Sequence, residues 1–144
     1  MNIVTVAKAL VIDEVQNCLI LRRSDTHPHV PLTPDLPGGQ VDEDESPHDA
    51  VVREIAEETA LTVRPAQTQL VYASTEIDRN RNVIRLLYVT RVAGVKPKVT
   101  ISWEHSEAWW VPLGTISQEL THQEYLKGIA YLAEHGILND IVKE

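Results

Sequence analysis

Apolar and polar residues come in blocks along this chain, and the blocks mark out its elements. Residues 3–12 are rich in valine and isoleucine, 13–17 are polar, and 18–21 are apolar again before Arg22 and Arg23. This pattern predicts two strands joined by a short turn. Residues 24–37 hold four prolines and two histidines, which predicts an ordered loop rather than a regular element. A helix follows. Ser46 suits its N-cap, Pro47 its first position, and Asp49 completes a capping-box pattern. At about 100° per residue, Val51, Val52, Ile55 and Thr59 fall on one arc of that helix, and Glu54, Glu57 and Glu58 on another.

Residues 70–76 and 83–92 read as strands separated by a polar, hairpin-like turn at 77–82. Residues 99–102 and 108–111 are shorter apolar runs of the same kind. A last helix is predicted over roughly 118–135, with Leu126, Ile129, Ala130 and Ala133 at helical spacing and a stop at Gly136. Ile137, Leu138 and Ile141 would pack the remaining tail. With no repeat, linker or low-complexity segment, the pattern gives one mixed α/β domain over 1–144.

The chain's 144 residues match the size of one domain and suffice to bury a core without disulfides. Its net charge of -8 opposes a nucleic-acid backbone, so no nucleic-acid partner is expected. Cys18 is the single cysteine, which excludes an internal disulfide and a thiolate cluster. Within an apolar run it reads as a small core residue. No apolar run reaches membrane-spanning length and no signal-peptide pattern opens the chain, so the expectation is a cytoplasmic protein with no membrane partner.

The chemistry lies in the acidic arc of the first helix. Residues three and four apart are helix neighbours, so Glu54, Glu57 and Glu58 converge on one patch and repel each other unless a cation intervenes. Hard oxygen donors of this kind suit Mg²⁺ or Mn²⁺. The glycines of Leu36-Pro37-Gly38-Gly39 make a turn just before the helix, which separates this acidic face from an ordinary solvated one.

The spacing around that turn carries a resemblance. From Gly39 the chain reads glycine, five residues, Glu45, seven residues, Arg53-Glu54-Ile55, one residue, Glu57-Glu58, one residue, then Ala60-Leu61. Residues 39–61 resemble the signature box of the Nudix hydrolases, with one departure at Ala60, where the family pattern has glycine. The resemblance implies the Nudix fold, an α/β/α sandwich around a mixed sheet. It also implies hydrolysis of a phosphoanhydride in a nucleoside diphosphate linked to another moiety: a nucleoside triphosphate, a nucleotide sugar, ADP-ribose or a dinucleoside polyphosphate. By that likeness Glu54, Glu57, Glu58 and the carbonyl of Gly38 hold Mg²⁺ or Mn²⁺. Arg53 orients Glu54, Glu45 supports the helix or that arginine, and a carboxylate takes a proton from water. Glycine at position 60 would favour φ > 0, which alanine adopts at a cost of about 1 kcal/mol.

Beyond the box, Trp103-Glu104-His105 and Trp109-Trp110 resemble a segment common in the family, which often carries a further catalytic carboxylate. Glu104 is the first candidate for it, Glu107 the second, and each is equally readable as a surface acid. The general base is left open among Glu54, Glu104 and Glu107. His105 could support a carboxylate. Trp103 is the candidate stacking face for a base. Arg22 and Arg85 are candidate substrate-phosphate partners, whereas Arg23, Arg79 and Arg81 read as solvated. His27 and His29 flank a proline without a third ligand, which is poor zinc geometry. Pro34 stands where many family members have tryptophan. The partner expected is a small nucleotide, with a homodimer possible. Two competing readings are a nucleotide sensor without turnover and an isoprenoid-diphosphate isomerase, which would need Cys18 in the pocket.

Overall fold

The computed structural model describes residues 2–28 and 30–138. Strand β1 (Asn2–Ile12) is its centre. Leu10 and Ile12 point to one face, Ala7, Ala9 and Val11 to the other, and all five are buried. Both faces being covered explains why this strand reads as a continuous apolar run instead of alternating. Along one edge β1 pairs in parallel with β6 (Arg81–Arg91) over its whole length, from Asn2↔Arg81 to Ile12↔Arg91. Strand β5 (Gln69–Asp78) adds antiparallel to β6.

The other edge of β1 positions the site. Strand β2 (Asn17–Arg23) meets β1 at Ile12↔Cys18, where Asp13 holds the turn by accepting the Val15 and Asn17 amides at 3.0 and 2.8 Å. Further along, β1 pairs with β4 (Gly38–Gln40) and β2 with β3 (Pro34–Asp35). Residues 36–37 therefore cross from one strand to the other, and Ala9 donates its amide to the Pro37 carbonyl at 2.9 Å. Strand β7 (His105–Pro112) lies on the far side of β2. One parallel pair among antiparallel ones makes the sheet mixed, as expected.

Helices cover both faces. On one side α1 (Pro47–Thr59) packs Val51 and Ile55 against Ala7, Ala9 and Leu21. Full burial of a side chain such as Ile55 contributes about 1.5–3 kcal/mol. On the other side lie α2 (Ile116–Glu119) and α3 (Gln123–Glu134), whose Ile116, Ile129 and Leu132 meet Leu10, Ile20 and Leu87. The result is an α/β/α sandwich. Ser46 accepts the Asp49 amide at 3.0 Å and caps α1, with Pro47 in its first turn. Ala60 closes the helix at φ 61° and ψ 14°, so alanine does hold the left-handed position that glycine fills more cheaply.

Several boundaries differ from expectation. Residues 99–102 form no strand; the Thr100 amide instead bonds the Thr59 carbonyl at 3.0 Å, tying that segment to the end of α1. The predicted terminal helix is two helices, because Leu120 turns extended to bury its side chain and His122 caps a new start. Tyr125, Gly128, Ile129 and Leu132 face the core, whereas Ala130 and Ala133 face outward. Small alanines fit either side, so spacing alone misjudged the face. The hairpin turn is only Arg79 and Asn80, both at positive φ, since the strands alternate right up to it. The proline-rich loop does contain the short strand β3, and the glycine turn is partly the strand β4. Cys18 is a fully buried core residue. Ile137 and Leu138 pack on the α3-side core, and Ile141 lies outside the described residues. No described helix is long and apolar enough to cross a membrane.

Candidate active site

The crossing from β3 to β4 brings a glycine pair onto β1, and this fixes everything around it. Gly38 adopts φ +131°, and a Cβ there would stand 2.1 Å from the Ala7 carbonyl oxygen. At Gly39 a Cβ would meet the Glu54 carboxyl carbon at 2.9 Å. Both glycines are thus required by close approach: of two strands in the first case, of a carboxylate in the second.

The three helix carboxylates sit at three depths. The side chain of Glu57 is 59% exposed, that of Glu54 17% and that of Glu58 4%. The expected acidic arc is therefore half inside the protein. Arg53 binds Glu45 with two bonds, Nε to Oε2 at 2.9 Å and Nη2 to Oε1 at 2.6 Å. Its Nη1 also donates to Glu54 and to Glu57 at 3.1 Å each. The bonds from Arg53 push the Glu45 carboxyl down to about 2. Glu58 lies beyond that arginine's reach. Its Oε1 accepts the Gly38 amide at 2.7 Å, and burial pushes its carboxyl up to about 8. Burial, then the nearby Glu57 charge, also raises Glu54, against the pull of Arg53.

Beneath the glycines lies a buried ionic group. Lys8 donates to Asp35 Oδ2 at 3.0 Å, to the Leu36 carbonyl at 3.2 Å and to the Gly38 carbonyl at 3.0 Å. Arg23 reaches the same Asp35 oxygen at 3.1 Å. Although burial opposes it, the Lys8 and Arg23 charges hold the Asp35 carboxyl below its ordinary range. His105 is 4% exposed, with Nε2 3.7 Å from Glu58 Oε2 and neither ring nitrogen hydrogen-bonded. Burial lowers it to about 4 and keeps it neutral.

The three helix carboxylates, the two glycines, Lys8, Asp35 and Arg23 line one side of a cavity of about 550 Å³. Val4, Val6 and Val83 make its floor, and the β5–β6 hairpin makes the opposite wall with Glu76, Asp78, Arg79, Arg81 and Arg85. Arg85 is half-buried and bonds Glu76 and the Tyr125 hydroxyl. Arg81 bonds Asp78 at 3.3 Å. Glu104 stands at the rim, 3.8 Å from His27.

The cavity thus gathers Gly38, Glu54, Glu57, Glu58, Glu104 and Arg85 from the sequence-derived candidates. Arg53, outside the cavity lining, braces Glu54 and Glu57. Three others lie elsewhere. Arg22 pairs with Glu107 at 3.2 Å, with its guanidinium over the Trp109 ring, and neither it nor Glu107 lines the cavity. Trp103 is 68% exposed and lines nothing. Conversely, Arg23, Arg79 and Arg81, read as solvated, do line it: Arg23 and Arg81 at the ends of β2 and β6, and Arg79 from the hairpin turn. His27 lines the cavity as well, and His29 lies outside the described residues. Lys8, Asp35, Glu76 and His122 escaped the sequence reading. A lone lysine inside the apolar run of β1 was the available sign. Among the described residues, no three acidic, histidine or cysteine side chains are gathered tightly enough to hold a metal ion as they stand. Arg53 and the Gly38 amide occupy the carboxylates instead.

Comparison with known proteins gives this geometry its context. A family model described as the NUDIX domain matches residues 2–132. A putative 8-oxo-dGTP diphosphatase of Bacillus subtilis (strain 168) is 51% identical over 53 residues, which are 37% of this chain and 32% of that protein. The match therefore spans only about a third of that relative's length. Among solved structures, the MutT protein from Methanosarcina mazei Go1 is similar with a TM-score of 0.79 and 26% identity, covering 94% of this chain and 96% of that one. A C. elegans Ap4A hydrolase in a binary complex has a TM-score of 0.70 and 19% identity, covering 91% of this chain and 98% of that one, a likeness of fold alone. A family model matched along almost the whole described chain, joined to a glycine turn and carboxylate helix that meet at one cavity, makes this chain a member of the Nudix hydrolase family.

Proposed function

We propose that this chain is a Mg²⁺- or Mn²⁺-dependent pyrophosphohydrolase cleaving a phosphoanhydride bond in a small nucleotide. The observation that carries the reading is Glu58: a buried carboxylate, out of reach of Arg53, beside Glu54 and Glu57 on a cavity wall. Three crowded carboxylates served by one arginine, which leaves Glu58 out, fit a hard divalent ion, so the donor set suits the group that the family implies. When bound, such an ion neutralises phosphate charge and acidifies the attacking water.

The chain's own residues do the rest. Glu57, the most open carboxylate, would hold the ion together with the deeper Glu54 and Glu58. Arg53 keeps Glu54 and Glu57 aimed at the cavity through one shared nitrogen, so neither has to be ordered during binding. Glu54 or the rim acid Glu104 takes the proton from water. Arg85 receives negative charge on the part of the substrate that the carboxylate wall does not serve. Among the described residues the cavity has no aromatic ring beyond His27 and His122, so a base packs on Val4, Val6 and Val83. The isomerase reading loses ground because Cys18 is fully buried in the core, away from the cavity, with its thiol pushed up to about 12 by burial.

The test is product analysis by ³¹P NMR or ion-pair chromatography with Mg²⁺ or Mn²⁺. The substrates are nucleoside triphosphates, nucleotide sugars, ADP-ribose and dinucleoside polyphosphates. The Bacillus subtilis relative's name puts triphosphates first. Cleavage between phosphates, reduced about a thousandfold or more in Glu57→Gln, is the expected result. A fully active Glu57→Gln sinks the assignment. Binding without cleavage of any member by the folded wild type favours a nucleotide sensor.

A further inference from the structure

Lys8 is 7% exposed, and all three of its ammonium hydrogens are engaged: with Asp35, with the Leu36 carbonyl and with the Gly38 carbonyl. Gly38 is consequently gripped at both of its backbone polar groups. Its amide donates to Glu58 at 2.7 Å, and its carbonyl accepts from Lys8 at 3.0 Å. The register Lys8↔Gly38 between β1 and β4 makes this contact part of the sheet.

We infer that Lys8 acts as a resident cation at the Gly38 carbonyl and excludes a divalent ion from it, so that metal entering this site is held by glutamate side chains alone. The inference rests on the metal-dependent reading above and replaces the backbone ligand that the family resemblance assigns to Gly38. Its physical basis is charge. An ion within coordination distance of that oxygen, roughly 2.0–2.6 Å, would stand only about 5 Å from the ammonium. Like charges that close and shielded from bulk water repel strongly. Lys8 is not free to withdraw either, because its neighbours are buried and the three acceptors it serves would lose their donor. The carbonyl is thus satisfied before any metal arrives, and the ion is displaced outward, toward Glu54 and Glu57, the two more open carboxylates.

Crystals of the unaltered chain soaked in Mn²⁺, with the ion located by anomalous scattering, test this directly. The expected result is Mn²⁺ on glutamate oxygens with Lys8 Nζ still bonded to the Gly38 carbonyl. Mn²⁺ coordinated by that carbonyl overturns the inference. No Mn²⁺ anywhere on the carboxylate wall removes the proposed function and this inference with it, an outcome distinct from a misplaced ion. In Lys8→Met, where Arg23 still serves Asp35, the same soak is expected to bring Mn²⁺ onto the Gly38 carbonyl. Titration calorimetry of that variant is expected to read about tenfold or more tighter Mn²⁺ binding. Unchanged coordination or weaker binding counts against the role, and the wild-type soak decides even if the variant does not fold.

Discussion

On the β5–β6 hairpin each acid facing the cavity meets its own arginine: Glu76 meets Arg85, and Asp78 meets Arg81. On α1 three glutamates face the same space; Glu54 and Glu57 share a single arginine, Arg53, which is also tied to Glu45, and Glu58 has none. The two walls use the same residue types, and secondary structure decides their charge. Antiparallel strands bring together residues farther apart in the chain, as Glu76 and Arg85 nine positions on, so charges can be matched pair by pair. A helix brings together residues three and four apart from one short segment, and Glu54, Glu57 and Glu58 can only crowd. The hairpin wall therefore carries Arg79 beyond its two pairs, and the helix wall is short of cations, most of all at Glu58, whose buried carboxyl ionises only with difficulty.

Removing one arginine from each wall is the sharpest way to break this contrast. Arg53→Ala leaves Glu54 and Glu57 unaimed, and kcat/KM together with Mn²⁺ affinity is expected to fall about 10–100-fold in steady-state assays and metal titrations. Arg85→Ala acts on the matched wall, where roughly a tenfold rise in KM with kcat nearly unchanged is expected. Equal loss of kcat in the two variants would erase the distinction between the walls.

The unmatched charge also has a pH signature in the metal-free protein. Glu58 has its folded-state value pushed up to about 8, against an ordinary glutamate value of about 4.3. A raised carboxyl contributes stability that is present below the unfolded value and lost as pH rises through the folded one. The midpoint of urea unfolding in EDTA is therefore expected to fall between pH 5 and pH 9, and Glu58→Gln to flatten that fall. An identical slope in both proteins would mean that Glu58 ionises without penalty. The smallest effect belongs to neither wall. Ala60→Gly relieves the left-handed alanine at the end of α1 and is expected to stabilise the fold by about 1 kcal/mol in urea unfolding, with KM unchanged.

Much of this was legible beforehand because it is local. The N-cap at Ser46, the spacing of the carboxylates and the apolar runs of β1 and β6 depend on residues a few positions apart. The errors lie where local signals tie or where partners are distant. Alanines at 130 and 133 matched helical spacing but turned outward. Residues 99–102 looked like a strand and found no partner strand. Trp103 and Arg22 had suitable chemistry, yet the loop and the edge of β2 direct them away from the cavity. Arg81 looked like a turn residue and faces inward, because the hairpin turn is shorter than its polar stretch suggests.

The sequence by itself determined the mixed α/β class and the presence of a carboxylate helix behind a glycine turn, whose spacing resembles the Nudix box and by that likeness implied the α/β/α layering. Each of these rests on periodicity or on spacing within one segment, and a chain carries such information without folding. Only the tertiary structure decided the depth of each glutamate, the matched hairpin wall opposite them and the grip of Lys8 on Gly38. Those depend on β1 meeting β4 across 30 residues of chain and on β6 lying parallel to β1. Burial, charge matching and backbone capture are properties of the meeting of segments, and no single segment contains them.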